Sequence, residues 1–277
     1  MKFYKMQGIG NDYIYFDCMS GEIAEPEKLS IKLSDRRFGI GGDGIILLCK
    51  SDVADCKMRM FNADGSEGKM CGNGIRCLGK LARDLGYVSG DNCTVETLSG
   101  VKKLYFFFGD DGKVESVKVD MGAPELDGRL IPSTVEGERV VGYPLTVGGK
   151  TYAVTLVNMG NPHCVIFADP DFTDVEGVGR QFENSPVFPD RVNTEFVKVT
   201  GKNSLKMRVW ERGSGETYAC GTGACAAVVA AVLNGYCNAG EAVTVSLLGG
   251  DLKIIYTGDA VYMTGAATLV FTGDVKI

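Results

Sequence analysis

The chain has 277 residues, 45% of them apolar, which suffices for one large core or two of ordinary size. A net charge of −6 with no basic stripe argues against nucleic acid and anionic membrane surfaces as partners. No segment reaches 18 consecutive apolar residues, and the opening MKFYKMQGIGNDYIYF lacks the apolar core of an export signal. A cytoplasmic chain with reduced thiols is therefore expected.

Taken in order, YIYFDC (13–18), GIILLC (44–49) and KMRMF (57–61) read as strands by alternation and β-branched or aromatic content. Gly39-Ile40-Gly41-Gly42-Asp43-Gly44 leads into the second of these rather than into a helix, which rejects a dinucleotide-binding reading. A helix is predicted over Asn73–Leu85, closed by Gly86. KKLYFFF (102–108) and SVKVDM (116–121) follow as strands, and the stretches 109–119 and 122–149 are expected to join two halves. YAVTLV (152–157), CVIFA (164–168), TEFVKV (194–199) and KMRVW (206–210) continue the sheet pattern. The second helix, Thr222–Leu233, ends at Asn234-Gly235, and its body GACAAVVAAVL is apolar all round, as in a helix buried on every side. AVTVSLL, LKIIYT and TLVFT close the chain as strands.

The chain repeats itself. MRMFNADGSEGKMCGNG (58–74) aligns with MRVWERGSGETYACGTG (207–223) at an offset of 149 residues. Met58/Met207, Arg59/Arg208, Glu67/Glu216, Cys71/Cys220, Gly72/Gly221 and Gly74/Gly223 are identical, and Phe61 matches Trp210. With one residue of slippage, Gly10-Asn11 pairs with Gly160-Asn161, Phe38 with Phe188 and Asp43 with Asn193. The expected architecture is α/β (α+β), in two pseudo-symmetric domains. Each is a curled mixed sheet around one central helix, with the site in the cleft between them. The boundaries are expected at residues 1–118 plus about 264–277, and 119–263.

Cys71 and Cys220 each sit on a glycine turn at a helix start. Exposed N–H groups and the helix dipole there favour thiolate and could hold a carboxylate, with Asn73 and Thr222 as suitable N-caps. Two thiols facing one carbon could take a proton on one side and return one on the other, inverting configuration. The same residues also suit structural thiols in a non-enzymatic duplicated sheet. No Cys-x-x-Cys pair occurs and His163 is the single histidine, so a zinc site has little support. Most other cysteines, such as Cys18, Cys49 and Cys93, are expected as small core residues. A Glu211-Arg212 pair on a solvated surface and a structural His163 are the plain alternatives at those positions.

GxGNDYI (8–14), FGIGGDG (38–44), FNADGSE (61–67), MCGNGIRC (70–77), MGNPHCV (159–165), RVNTEF (191–196) and ERGSGETYACGTGACA (211–226) resemble the diaminopimelate epimerase family over the whole chain, in order and spacing. The resemblance implies an enzyme that interconverts LL- and meso-diaminopimelate, for lysine and peptidoglycan precursors. It implies no pyridoxal phosphate, no metal and a homodimer. It makes Cys71 and Cys220 the acid/base pair, with His163 and Glu211 assisting proton transfer. Asn11, Asn62, Asn161, Asn193, Glu211 and Arg212 would bind substrate, and the turns Gly72-Asn73 and Gly221-Thr222 would hold carboxylates. A proline-racemase-type enzyme is the related alternative. The chain departs from some relatives at Gly44, where they carry Gln, and at Phe271, where they carry a Tyr associated with dimer packing.

Overall fold

The computed structural model describes residues 1–276 and divides into two compact units, Met1–Asp120 with Thr264–Ile277 and Met121–Met263. In chain order the first carries β1 (Lys2–Gly8), β2 (Asn11–Cys18), α1 (Pro26–Ser34), β3 (Gly44–Cys49), β4 (Cys56–Asn62), β5 (Glu67–Gly68), α2 (Gly72–Asp84), β6 (Asn92–Thr97), β7 (Gly100–Phe108) and β8 (Val114–Gly122). The second carries β9 (Tyr143–Val147), β10 (Lys150–Asn158), β11 (Pro162–Phe167), α3 (Val175–Glu183), β12 (Asn193–Gly201), β13 (Ser204–Glu211), β14 (Gly215–Glu216), α4 (Gly221–Leu233), β15 (Ala242–Leu247) and β16 (Gly250–Tyr256). β17 (Val261–Ala266) and β18 (Thr268–Asp274) finish the chain.

The two units share one internal plan. In the first, β1–β2 is antiparallel, β2–β3 parallel, β3–β4 antiparallel, β4–β6 parallel and β6–β7 antiparallel. In the second, β10–β11, β11–β12, β12–β13, β13–β15 and β15–β16 follow the same alternation. Parallel neighbours need a crossover, and α1, α2, α3 and α4 supply the four. A mixed, sheet-dominated fold built twice over is thus visible in the pairing itself.

Each unit therefore holds two helices, where one each was expected. α1 begins with Pro26, whose fixed φ suits a first turn, and buries Leu29 and Leu33. α3 is capped by Asp174, which accepts from the Gly177 N–H at 2.9 Å, and buries Val175, Gly179 and Phe182 at i, i+4 and i+7. These short stripes lie on one sheet face: Leu29 and Leu33 join Phe3, Ile14, Phe16, Ile45, Leu47 and Phe61. In the second unit Phe182 joins Phe188, Phe196 and Trp210.

α2 and α4 take the other face. Ala224 through Ala231 are all buried, and α4 touches β10, β11, β12, β13, β15 and β16, so the sheet curls around it. Small side chains let the strands approach closely, and the ring of apolar contacts stabilises a helix with no polar face. Gly86 and Gly235 end the two helices with φ near +80° and +76°. Among the described residues, no helix is long and apolar enough to cross a membrane. Residues 109–119 prove to be the β7–β8 turn and most of β8, not a linker. The stretch 122–149 includes β9, which pairs with β10 inside the second unit. Strands β1, β5, β6, β9, β14 and β17 were not expected. Cys18 and Cys93 are core residues, whereas Cys49 is half-buried.

Candidate active site

Both repeated cysteines are themselves the N-caps of their helices, in place of the expected Asn73 and Thr222. Cys71 Sγ accepts from the Gly74 N–H and Cys220 Sγ from the Gly223 N–H, each at 3.3 Å and each from extended backbone. Asn73 instead is buried in the first turn of α2 and accepts from Arg76 at 3.0 Å. Thr222 is half-buried, with its hydroxyl 3.6 Å from Cys220 Sγ. Gly72 and Gly221 open the two helices and are buried.

In the first unit, Cys71 Sγ donates to Asn11 Oδ1 at 3.3 Å. Asn11 Nδ2 donates to Asp43 Oδ2 at 2.7 Å, and the Asp12 N–H reaches the same oxygen at 3.0 Å. Arg36 ties Asp12 and Asp43 together, and Lys5 bonds Asp12 from the other side. Burial alone would raise the Asp12 pKa, but the hydrogen bonds from Arg36 and Lys5 outweigh it and hold that carboxyl below its usual range. Asn62 does not join this group: its amide donates to Ser66 Oγ at 3.0 Å across its own hairpin. A Cβ on Gly44 would lie 2.1 Å from the Phe61 carbonyl oxygen, so this backbone leaves no room for a side chain there.

The second unit gathers more. His163, Asn193 and Glu211 lie on the sheet face that meets α4, because β11 and β12 run parallel with His163 opposite Asn193. His163 is fully buried, with Nδ1 2.7 Å from Glu195 Oε1 and Nε2 3.1 Å from Asn161 Oδ1. Asn193 donates to the Pro162 carbonyl at 2.8 Å and accepts from the Arg212 N–H at 3.0 Å. Glu211 Oε1 accepts from the Thr217 hydroxyl and lies beside the Cys220 thiol. Burial pushes its pKa up, and these two neighbours offset only part of the rise. The Arg212 guanidinium is exposed and donates to the Asp190 carbonyl at 2.9 Å.

Cys220 reverses one electrostatic expectation. Its thiol is driven well above the ordinary range, first by burial and then by Glu211 and Glu195, while Thr222 and the Gly223 N–H pull the other way and lose. The residues that sequence reasoning missed are Glu195 and Thr217. Glu195 stood inside RVNTEF two positions after Asn193, which puts it on the same strand face. Among the described residues, no cluster of three or more His, Cys, Asp or Glu side chains is placed to hold a metal.

The fold is that of the phenazine-biosynthesis and proline racemase structures. A Bacillus anthracis phenazine biosynthesis protein of the PhzF family superposes with a TM-score of 0.69 at 18% identity, over 100% of this chain and 99% of that one. A probable proline racemase from Agrobacterium radiobacter K84 gives 0.70 at 13% identity, over 100% and 93%. Within that fold, the diaminopimelate epimerase profile matches residues 3–126 and 155–270. Relatives named diaminopimelate epimerase, from Acetivibrio thermocellus and Methanococcus maripaludis, are each 50% identical over 100% of this chain and 99% and 100% of their own. The chain belongs to the diaminopimelate epimerase family and is an isomerase, which sets aside a non-enzymatic duplicated sheet.

Proposed function

We propose that the protein interconverts LL- and meso-diaminopimelate, in lysine and peptidoglycan-precursor biosynthesis, by moving the α-proton between Cys71 and Cys220 without a cofactor. The observation that carries this is the duplicated cap: two thiols, each the N-cap of a helix, each 3.3 Å from the N–H three residues on. One thiolate takes the proton from the α-carbon and becomes a thiol. The opposite thiol gives its proton to the other face of the same carbon and is left as thiolate. Configuration inverts when donor and acceptor act on opposite faces of that carbon.

Under this reading the first-turn N–H groups at Gly72-Asn73 and Gly221-Thr222 hold carboxylate and stabilise charge as the carbanion forms. Arg212 grips the distal carboxylate. Asn11, Asn62, Asn161 and Asn193 pair with the polar ends. Because burial and carboxylates keep Cys220 protonated, it can act as a base only after giving up its own proton. Glu211, beside that thiol, is its first acceptor, with His163 beyond. A cytoplasmic setting, which keeps ten unbridged cysteines reduced, belongs to the same reading. So does a homodimer, supported by the exposed Leu269, Val270 and Phe271 on β18.

In D2O, deuterium should enter the α-carbon with inversion. Cys71→Ala and Cys220→Ala should each lower interconversion by about 10²–10⁴-fold or more. Retained turnover in either variant sinks the two-thiol mechanism. The proline-racemase-like fold favours one alternative, a related racemase, and turnover of proline but not diaminopimelate would select it.

A further inference from the structure

Beyond the paired thiols, the second unit buries a further carboxylate, Glu195. It is the third residue of β12, fully buried, with Oε1 2.7 Å from His163 Nδ1. Its other oxygen, Oε2, is buried and has no hydrogen-bond partner among the described residues. A buried carboxylate with an unsatisfied oxygen is costly, and a residue needed only for packing could be apolar.

The turn at Cys220 is built around it. A Cβ at Gly223 would lie 2.8 Å from Glu195 Oε1 and 3.2 Å from Cys220 Sγ, so only glycine lets the carboxylate and the thiol approach the same point of the helix start. Glu195 also contributes to raising both Cys220 and Glu211. Around the ring, Nδ1 faces the Glu195 carboxylate and Nε2 faces Asn161 Oδ1, an arrangement in which an imidazolium donates on both sides.

We propose that Glu195 is a positioning residue for the Cys220 half-reaction, holding His163 with its proton on Nδ1 and neutralising the imidazolium formed when Nε2 receives a proton. The step balances simply. The proton leaves Cys220 Sγ through Glu211 and arrives at His163 Nε2, while Nδ1–H stays bonded to the carboxylate. A neutral histidine, a carboxylate and a thiol become an imidazolium, a carboxylate and a thiolate, with no other reactant. The logic is that of a base oriented by a third group. The inference rests on the two-thiol reading only for its consequence in turnover; the His163–Glu195 pair can be tested apart from it.

His163 is the single histidine of the chain, so ring ¹⁵N and ¹H resonances of the untagged protein report it alone. The groups facing Glu195 are His163 from β11, Glu211 from β13 and Cys220 at the start of α4. Cys164 of β11, Lys206 and Arg208 of β13 and Cys225 within α4 are the other titratable side chains on those neighbouring elements, whereas α3, on the opposite face, directs Glu183 to Trp210. In the wild-type protein Nδ1 should carry a proton at neutral pH. In Glu195→Gln the Nδ1-bound proton resonance of His163 should move upfield, because its acceptor changes from a carboxylate to a neutral amide. kcat should fall about ten- to hundredfold, with KM within about twofold. An unprotonated Nδ1 in the wild type overturns the proposal even if the variant fails to fold. So does an unmoved Nδ1 proton resonance or an unchanged kcat in a folded Glu195→Gln protein. Absence of epimerase activity in the wild type instead overturns the two-thiol reading, and leaves the resonance test intact.

Discussion

Glu183, the last residue of α3, offers a measurable test of how the turn bearing Glu211 and Arg212 is held. Its Oε2 accepts from Trp210 Nε1 at 2.6 Å, and its Oε1 accepts from the Gly213 N–H at 2.9 Å with Arg191 at 3.4 Å. Burial would raise this carboxyl, but the Trp210 and Gly213 bonds, helped by Arg191, outweigh it and hold the pKa below the ordinary range. Glu183→Gln keeps the shape but turns an NH2 toward one of two buried donors. An unsatisfied buried donor costs about 1–3 kcal/mol, and bonds to an ionised acceptor are roughly twice as strong as neutral ones. The expected loss is therefore about 2–4 kcal/mol at pH 7. Trp210 is the only tryptophan, so urea unfolding followed by its fluorescence reads the site directly, with circular dichroism as the global reference. The folded pKa is the lower one. The wild-type advantage should accordingly be complete above the unfolded carboxyl range and fade as pH falls through the folded value. A loss under about 0.5 kcal/mol, or an advantage that grows as pH falls, refutes the reasoning.

Four further outcomes are expected. Asp12→Asn should weaken the first unit at neutral pH and flatten the stability lost on acidification, because the depressed Asp12 pKa contributes above the unfolded value and not below the folded one; stability curves at several pH values check this. Thr217→Val removes a bond that lowers Glu211, so the acidic limb of the pH–rate profile should move to higher pH. Iodoacetamide should modify Cys220 more slowly than a free thiol near neutral pH, as peptide mapping can show, since the buried thiol is held protonated. Ala227→Leu, inside the fully enclosed part of α4, should cost about 1–3 kcal/mol by overpacking, read by urea unfolding.

How far the sequence could be read depended on how much of each signal was local. The apolar body of α4 and the Gly86 and Gly235 caps are local, and both were legible. The repeat identities were legible too, and two of them now have a physical cause. Arg59 and Glu67 form an ion pair across the β4–β5 hairpin, and Arg208 and Glu216 do the same across β13–β14. α1 and α3 were missed because PEKLSIKLS and VEGVGRQFE, at nine residues each, are too short for a helical period to stand out. Their necessity appears only once β2–β3 and β11–β12 are known to be parallel. The ionisation of Cys220 was misread for a different reason. A glycine turn at a helix start is visible in sequence, but the burial and the carboxylates of Glu195 and Glu211 arrive from β12 and β13, and their sum exceeds the local donors.

The seam between β1 and β18 carries a consequence for the order of events during synthesis. Lys2 pairs with Asp274, and the amino group of Met1 donates to the Val275 carbonyl at 2.7 Å. β1 leaves the ribosome well before β18, so one of its edges waits for a partner made much later. Until β18 emerges, that edge presents unpaired backbone to other nascent chains, the kind of edge that templates aggregation. Unit two, continuous from Met121 to Met263, has no such debt and can complete its sheet while still tethered. The nearness of Lys2 to Asp274 makes a circular permutant natural: a short linker across the seam would render β18 and β1 a hairpin, turning a pairing between distant parts of the sequence into a local one.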